Sequence, residues 1–89
     1  MPCKLELISE LSVGQYCFHS NGYVSATIGE KDGWICAPLY QYKLLSENSL
    51  EIFNEAGCVE FWSNINVESK IVRVERNGIC LSFSLYSEV

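Results

Sequence analysis

Hydrophobic and polar residues alternate most regularly near the end of the chain. Ile79, Leu81, Phe83 and Leu85 fall on one side of a two-residue period, and Cys80, Ser82, Ser84 and Tyr86 on the other. That period is the signature of a strand with one buried face. Residues 71–75 and 79–85 flank Asn77-Gly78, the dipeptide best able to supply the two positive φ angles of a type I′ turn, so the pattern predicts a tight hairpin. A second hairpin is predicted around Asn21-Gly22, with arms at 15–19 and 23–28. In its second arm Val24, Ala26 and Ile28 oppose Tyr23, Ser25 and Thr27.

Between these hairpins the same period recurs in short stretches. Residues 34–37 form a brief apolar strand that Pro38 interrupts or confines to an edge, because proline cannot donate to a ladder. Residues 39–45 resume it, with Tyr40, Tyr42 and Leu44 on one side. Strands follow at 50–53 and 58–65, separated by turns at 46–49 and 54–57. In the last of them Cys58, Glu60, Trp62 and Asn64 oppose Val59, Phe61, Ser63 and Ile65. Residues 2–14 are read as a short N-terminal helix or irregular lead-in, with Pro2 in a first turn, Leu7 and Leu11 four apart, and Gly14 as terminator. Alternation of Leu5 and Leu7 fits a strand equally well. The whole is an all-β antiparallel meander of seven or eight short strands, curled into a barrel or a sandwich. Connections this short leave no room for the crossover helices of a parallel sheet.

Eighty-nine residues bound this to a single β domain over 1–89. The strand count and the meander resemble the architecture of small lipocalin-like domains; no sequence motif takes part in that resemblance. The first ten residues are too short and too acidic a stretch for a signal peptide. The five cysteines are odd in number, contain no C-x-x-C pair and fall mostly in strand-like segments, so they read as small apolar side chains in a reducing cytoplasm. The net charge of −5, with no basic cluster, disfavours nucleic acid and anionic membrane as partners and is compatible with a basic protein.

Candidate chemistry is sparse. Cys17 and His19 share a strand face and could offer two ligands or a thiolate–imidazole pair. Zinc needs three or four ligands, however, and nothing orients His19 as a base. Glu60 shares a face with Trp62 and Cys58. If that face were internal its carboxyl would be desolvated and its pKa raised, but solvent exposure is the expectation for a glutamate. No phosphate-binding glycine loop, G-x-S-x-G or H-E-x-x-H occurs. No catalytic residue, cofactor or metal is expected, and the protein is read as a non-enzyme.

Aromatic residues are more numerous than a core this small needs, and exposed aromatic and arginine side chains are the usual anchors of protein interfaces. The leading expectation is therefore a non-catalytic protein-binding domain, such as a small acidic inhibitor or immunity-type antagonist. Its contact residues would be Trp62, Tyr40, Tyr42, Tyr23 and Arg76. A homodimer paired through an edge strand is compatible with it. The alternative is a small-ligand carrier with an aromatic-lined cavity, to which Ala26, Ser63 and Cys58 would leave space. The choice turns on which face of residues 58–65 is buried.

Overall fold

In the computed structural model, which describes residues 3–87, Asn77 and Gly78 take φ angles of 51° and 86°. They close a two-residue turn between β8 (Ile71–Arg76) and β9 (Ile79–Ser87), with Arg76 opposite Ile79. The Asn21-Gly22 hairpin joins β2 (Ser12–Phe18) to β3 (Tyr23–Glu30) through a longer loop. Its base is set by a bond from the His19 amide to the Tyr23 carbonyl (2.8 Å), and only Gly22 there adopts a positive φ.

The remaining strands are β1 (Cys3–Leu7), β4 (Ile35–Cys36), β5 (Leu39–Ser46), β6 (Ser49–Asn54) and β7 (Gly57–Glu68). All pairings are antiparallel, and β1 lies between β2 and β9, so the meander closes on itself as a barrel. The segment read as a helix or lead-in over 2–14 is corrected: β1 occupies its first half and β2 begins at Ser12, while Pro2 lies outside the described residues. Leu7, Ile8 and Leu11 have helical spacing, but pairing of β1 on both sides outweighs that local preference. Gly14 ends nothing; it sits inside β2, opposite Ile28.

β4 and β5 form one line along β3. Ser25 faces Leu39 and Ile28 faces Cys36, so the register runs unbroken across Ala37-Pro38, and the Pro38 carbonyl accepts from the Ala26 amide at 3.0 Å. Proline thus divides the strand without displacing it. The barrel therefore has eight staves. Among the described residues every other strand is paired on both sides, and only the two-residue β4 offers a free edge to a second copy.

Inward positions follow the alternation. Leu5, Tyr16, Phe18, Val24, Ala26, Leu50, Ile52, Trp62, Val72, Val74 and Phe83 make the core. Eight strands leave an interior just wide enough for side chains, and here aromatic rings fill its middle. Trp62 stacks on Phe83 with ring centroids 5.2 Å apart, and Tyr16 and Phe18 meet Trp62 edge-on at 5.1 and 5.8 Å. Each such pair contributes about 0.5–1.5 kcal/mol beyond simple burial.

One departure from alternation matters. The β6–β7 register shifts between Ile52, which faces Glu60, and Phe53, which faces Cys58. The extra residue bulges β7, and Cys58 lies exposed while Glu60 and Trp62 stay inside. Of the three small residues expected to leave space inside, Ala26 alone is buried.

Gly29 explains how β4 reaches β3. A Cβ there would run into the Trp34 carbonyl oxygen and stand 2.8 Å from the Cα of Ile35. Gly29→Ala is expected to lift β4 away and destabilise the fold by about 1–3 kcal/mol. The check is urea denaturation, read as a lower midpoint at unchanged slope, with faster amide exchange at Ile35 and Cys36. An unchanged midpoint would mean that β4 adds nothing to the barrel.

Candidate functional site

The antiparallel order sends the β1–β2, β3–β4, β6–β7 and β8–β9 connections to one end of the barrel. Inward positions near that end are Leu7, Gly14, Ile28, Tyr40, Glu60, Arg76 and Leu81, and they line a cavity of about 740 Å³ open to solvent. At the Gly14 level the β2 stave contributes no side chain, and Leu7 of β1 packs close over the glycine: a Cβ there would stand 3.1 Å from the Leu7 Cβ. Below lies the aromatic layer.

The floor is polar. The Tyr16 hydroxyl donates to Glu60, at 3.1 Å from Oε1 and 2.9 Å from Oε2. The Trp62 indole Nε1–H donates to Oε1 at 2.9 Å. From β8, the strand paired with β7, Arg76 Nη1 donates to the Tyr16 oxygen at 2.9 Å. Glu60 is only 8% exposed, so its expected place in solvent is corrected. Two donors and a nearby guanidinium compensate the desolvation of its carboxylate. The phenol stands between the charges: Arg76 and Glu60 make no direct ion pair, and the only salt bridge among the described residues is Arg73–Glu68 at the surface.

Burial pushes the Tyr16 hydroxyl well above the usual phenol range. The negative charge of Glu60 and the bond to it push the same way, against a smaller opposing pull from Arg76. Tyr40, on the cavity wall, is also raised, by burial first and then by Glu60. Both phenols therefore remain protonated, and Tyr16 remains a donor to Glu60 throughout the neutral range.

The five proposed contact residues do not share a surface. Trp62, 1% exposed, is corrected from interface anchor to core residue. Arg76 turns inward to Tyr16. Tyr40 and Tyr42 do share a face, but it is the inner one: both are half-buried against the core, and the Tyr42 hydroxyl donates to the His19 carbonyl at 2.7 Å. Only Tyr23 is turned to solvent, 39% exposed. Cys17 is half-buried, and His19 contacts Ser25 Oγ through Nε2 at 3.0 Å. Among the described residues no three of His, Cys, Asp and Glu stand together as a metal would need.

Sequence reasoning reached Glu60, Tyr40 and Arg76 but not their convergence, and missed Tyr16 and Gly14 as parts of one site. Tyr16 lies 44 residues from Glu60 and 60 from Arg76. The only local signal was its strand position two residues from Phe18, which places both rings on one face. Comparison with protein-family models, with curated proteins and with solved structures yields no match.

Tyr16→Phe removes one hydroxyl that serves both charges. It is expected to cost about 1–3 kcal/mol, by leaving Glu60 one donor short and one Arg76 N–H without its acceptor. The raised folded-state pKa also fixes a sign. Above the phenol's unfolded pKa of about 10 the unfolded chain releases a proton that the folded one retains, so stability falls as pH rises. Below that pH the contribution is complete. Denaturation midpoints between pH 8 and 11 should show this alkaline decline, reduced in Tyr16→Phe. An equally steep decline in the variant would show that Tyr16 is not its source.

Proposed function

We propose that this domain binds a small molecule in the open end of its barrel, by recognition rather than catalysis. The observation that carries the reading is the Glu60–Tyr16–Trp62–Arg76 network at the floor of a solvent-connected cavity. At about 740 Å³ the cavity lies within the roughly 300–1,000 Å³ usual for such sites. Its composition is also the usual one, with apolar walls at Leu7, Ile28 and Leu81 and a few converging polar groups. The aromatic residues serve differently from an aromatic-lined pocket: they fill the barrel beneath the cavity and hold the polar groups in place. Part of the same reading is a reducing compartment such as the cytoplasm, on the odd number of cysteines and their lack of any C-x-x-C pair. Among the described residues, no helix is long and apolar enough to cross a membrane.

A second reading, a protein-binding antagonist, is favoured by a different observation. The open end exposes Leu11 (81%) and Trp34 (66%) in its connections and Ile35 (54%) at the start of β4, with Glu10, Glu30 and Asp32 close by in the chain. An apolar centre within acidic surroundings suits a basic protein partner. Its contacts would be these loop residues with Tyr23, in place of Trp62, Tyr40, Tyr42 and Arg76.

A screen of small polar fragments by ligand-observed NMR tests the first reading. Fragments should bind the native protein, change Trp62 fluorescence, and lose binding in a Leu81→Phe, Ile28→Phe variant that fills the cavity but keeps the far-ultraviolet spectrum. A Leu11→Ser, Trp34→Ser variant should bind them unchanged. Absence of hits, or hits that survive filling of the cavity, would refute the ligand site and leave the loop surface as the better reading.

A further inference from the structure

The floor of the cavity holds unused hydrogen-bonding capacity of both signs. A guanidinium carries five N–H donors, and Arg76 gives one of them to Tyr16 while bordering the cavity. A carboxylate offers about four lone-pair directions, and Glu60 receives one proton from Tyr16 and one from Trp62. Both charged groups border the same space.

Their separation is restricted. Arg76 Nη1 and Glu60 Oε2 each lie 2.9 Å from the Tyr16 oxygen, so they can be no further apart than twice that hydrogen bond. They also make no direct ion pair. A ligand that engages both must therefore carry an acceptor and a donor separated by a few bonds. The charges narrow the class further. A simple anion drawn to Arg76 would meet the Glu60 carboxylate, and a simple cation drawn to Glu60 would meet Arg76. A wholly apolar guest would strip water from both and return nothing. A molecule with its own opposite charges a few bonds apart avoids all three penalties.

We infer that the cavity takes a small zwitterion of the amino-acid kind, its carboxylate on Arg76, its ammonium on Glu60 and an apolar side chain against Leu7, Ile28 and Leu81. This rests on the cavity being a ligand site. In such a molecule the ammonium nitrogen and the carboxylate oxygens lie three bonds apart, which suits two protein charges flanking one phenolic oxygen. Arginine also receives a carboxylate through two parallel N–H bonds, and the free portion of the Arg76 fork is available for that contact. Leu7, Ile28 and Leu81 supply the apolar wall. The site is formed before binding, because Tyr16 and Trp62 already fix the Glu60 carboxylate, and such preorganisation lowers the entropic cost of association.

The test is an NMR titration of isotope-labelled native protein with L-leucine, L-phenylalanine and two truncated leucines. These are 4-methylpentanoate, which lacks the ammonium, and 3-methylbutylamine, which lacks the carboxylate. At least one amino acid should shift the resonances of Leu7, Gly14, Ile28 and Leu81. Each truncated leucine should bind at least about tenfold more weakly than L-leucine, equivalent to about 1.4 kcal/mol. Arg76→Gln should reduce L-leucine to the level of the amine, and Glu60→Gln to the level of the acid. If Glu60→Gln fails to fold, the comparison on native protein decides alone. Either truncated leucine matching L-leucine would overturn the inference, showing a site for one charge only. Failure of both amino acids at millimolar concentration would also overturn it. The fragment screen separates the two levels: hits without amino-acid binding refute the zwitterion and leave the ligand site standing, whereas no hits at all refute both.

Discussion

The burial of one carboxylate organises this barrel. Moving a carboxylate from water into a protein interior costs several kcal/mol even after relaxation, so Glu60 is tenable only with donors around it. Trp62 and Tyr16 supply them, and each is fixed by that duty. The indole must present its N–H toward Glu60 while its ring stacks on Phe83, and the Tyr16 ring must reach across with its edge against Trp62. The orientation of the aromatic layer and the hydration of the carboxylate are thus one problem with one solution. Arg76 joins it through the Tyr16 oxygen, which accepts from the guanidinium while its own proton goes to Glu60, and bonds linked through a shared hydroxyl strengthen one another.

The β7 bulge belongs to the same constraint. A strand of strict alternation would place Cys58, Glu60 and Trp62 all inside. By admitting one extra residue opposite Phe53, β7 turns Cys58 out to the surface and brings Val59 to the rim of the cavity, while Glu60 and Trp62 keep their inward places. The bulge therefore lies one residue from Glu60, at the open end of the barrel.

How much of this was legible in the sequence depends on how local its cause is. The β8–β9 turn was legible to the residue, because Asn77-Gly78 carries its own conformational preference and Arg76 and Ile79 then face each other by geometry. The alternation of β9 was equally plain, since one wrong residue would show. The N-terminal strand was ambiguous because Leu7, Ile8 and Leu11 also satisfy a helical period, and pairing with β2 and with β9, the latter more than sixty residues away, decides between them. The register across Pro38 was hidden for a similar reason. A proline reads as a strand break, while the continuity of β4 with β5 is imposed by β3. The site was least legible of all. A glutamate alternating with a tryptophan predicts a shared face but not which side of the sheet that face takes, and the deciding partners Tyr16 and Arg76 come from other strands.

Stability alone does not account for the polar floor. Replacing buried charged groups by apolar side chains of similar volume is commonly neutral or stabilising, and an eight-stranded barrel can be filled to its ends with leucine and valine. Here the interior is divided. Below the network, Phe18, Trp62 and Phe83 pack as a core; above it the space opens to water. At the far end a smaller cleft of about 250 Å³, bordered by Leu5, Leu50, Trp62, Ile65 and Leu85, has only apolar neighbours. The contrast is informative because both cavities arise from the same staves and the same alternation. A barrel that merely packed imperfectly would leave both ends apolar, and only at the open end do a carboxylate, a phenol and a guanidinium converge. The recognition site proposed here needs that convergence; a core does not.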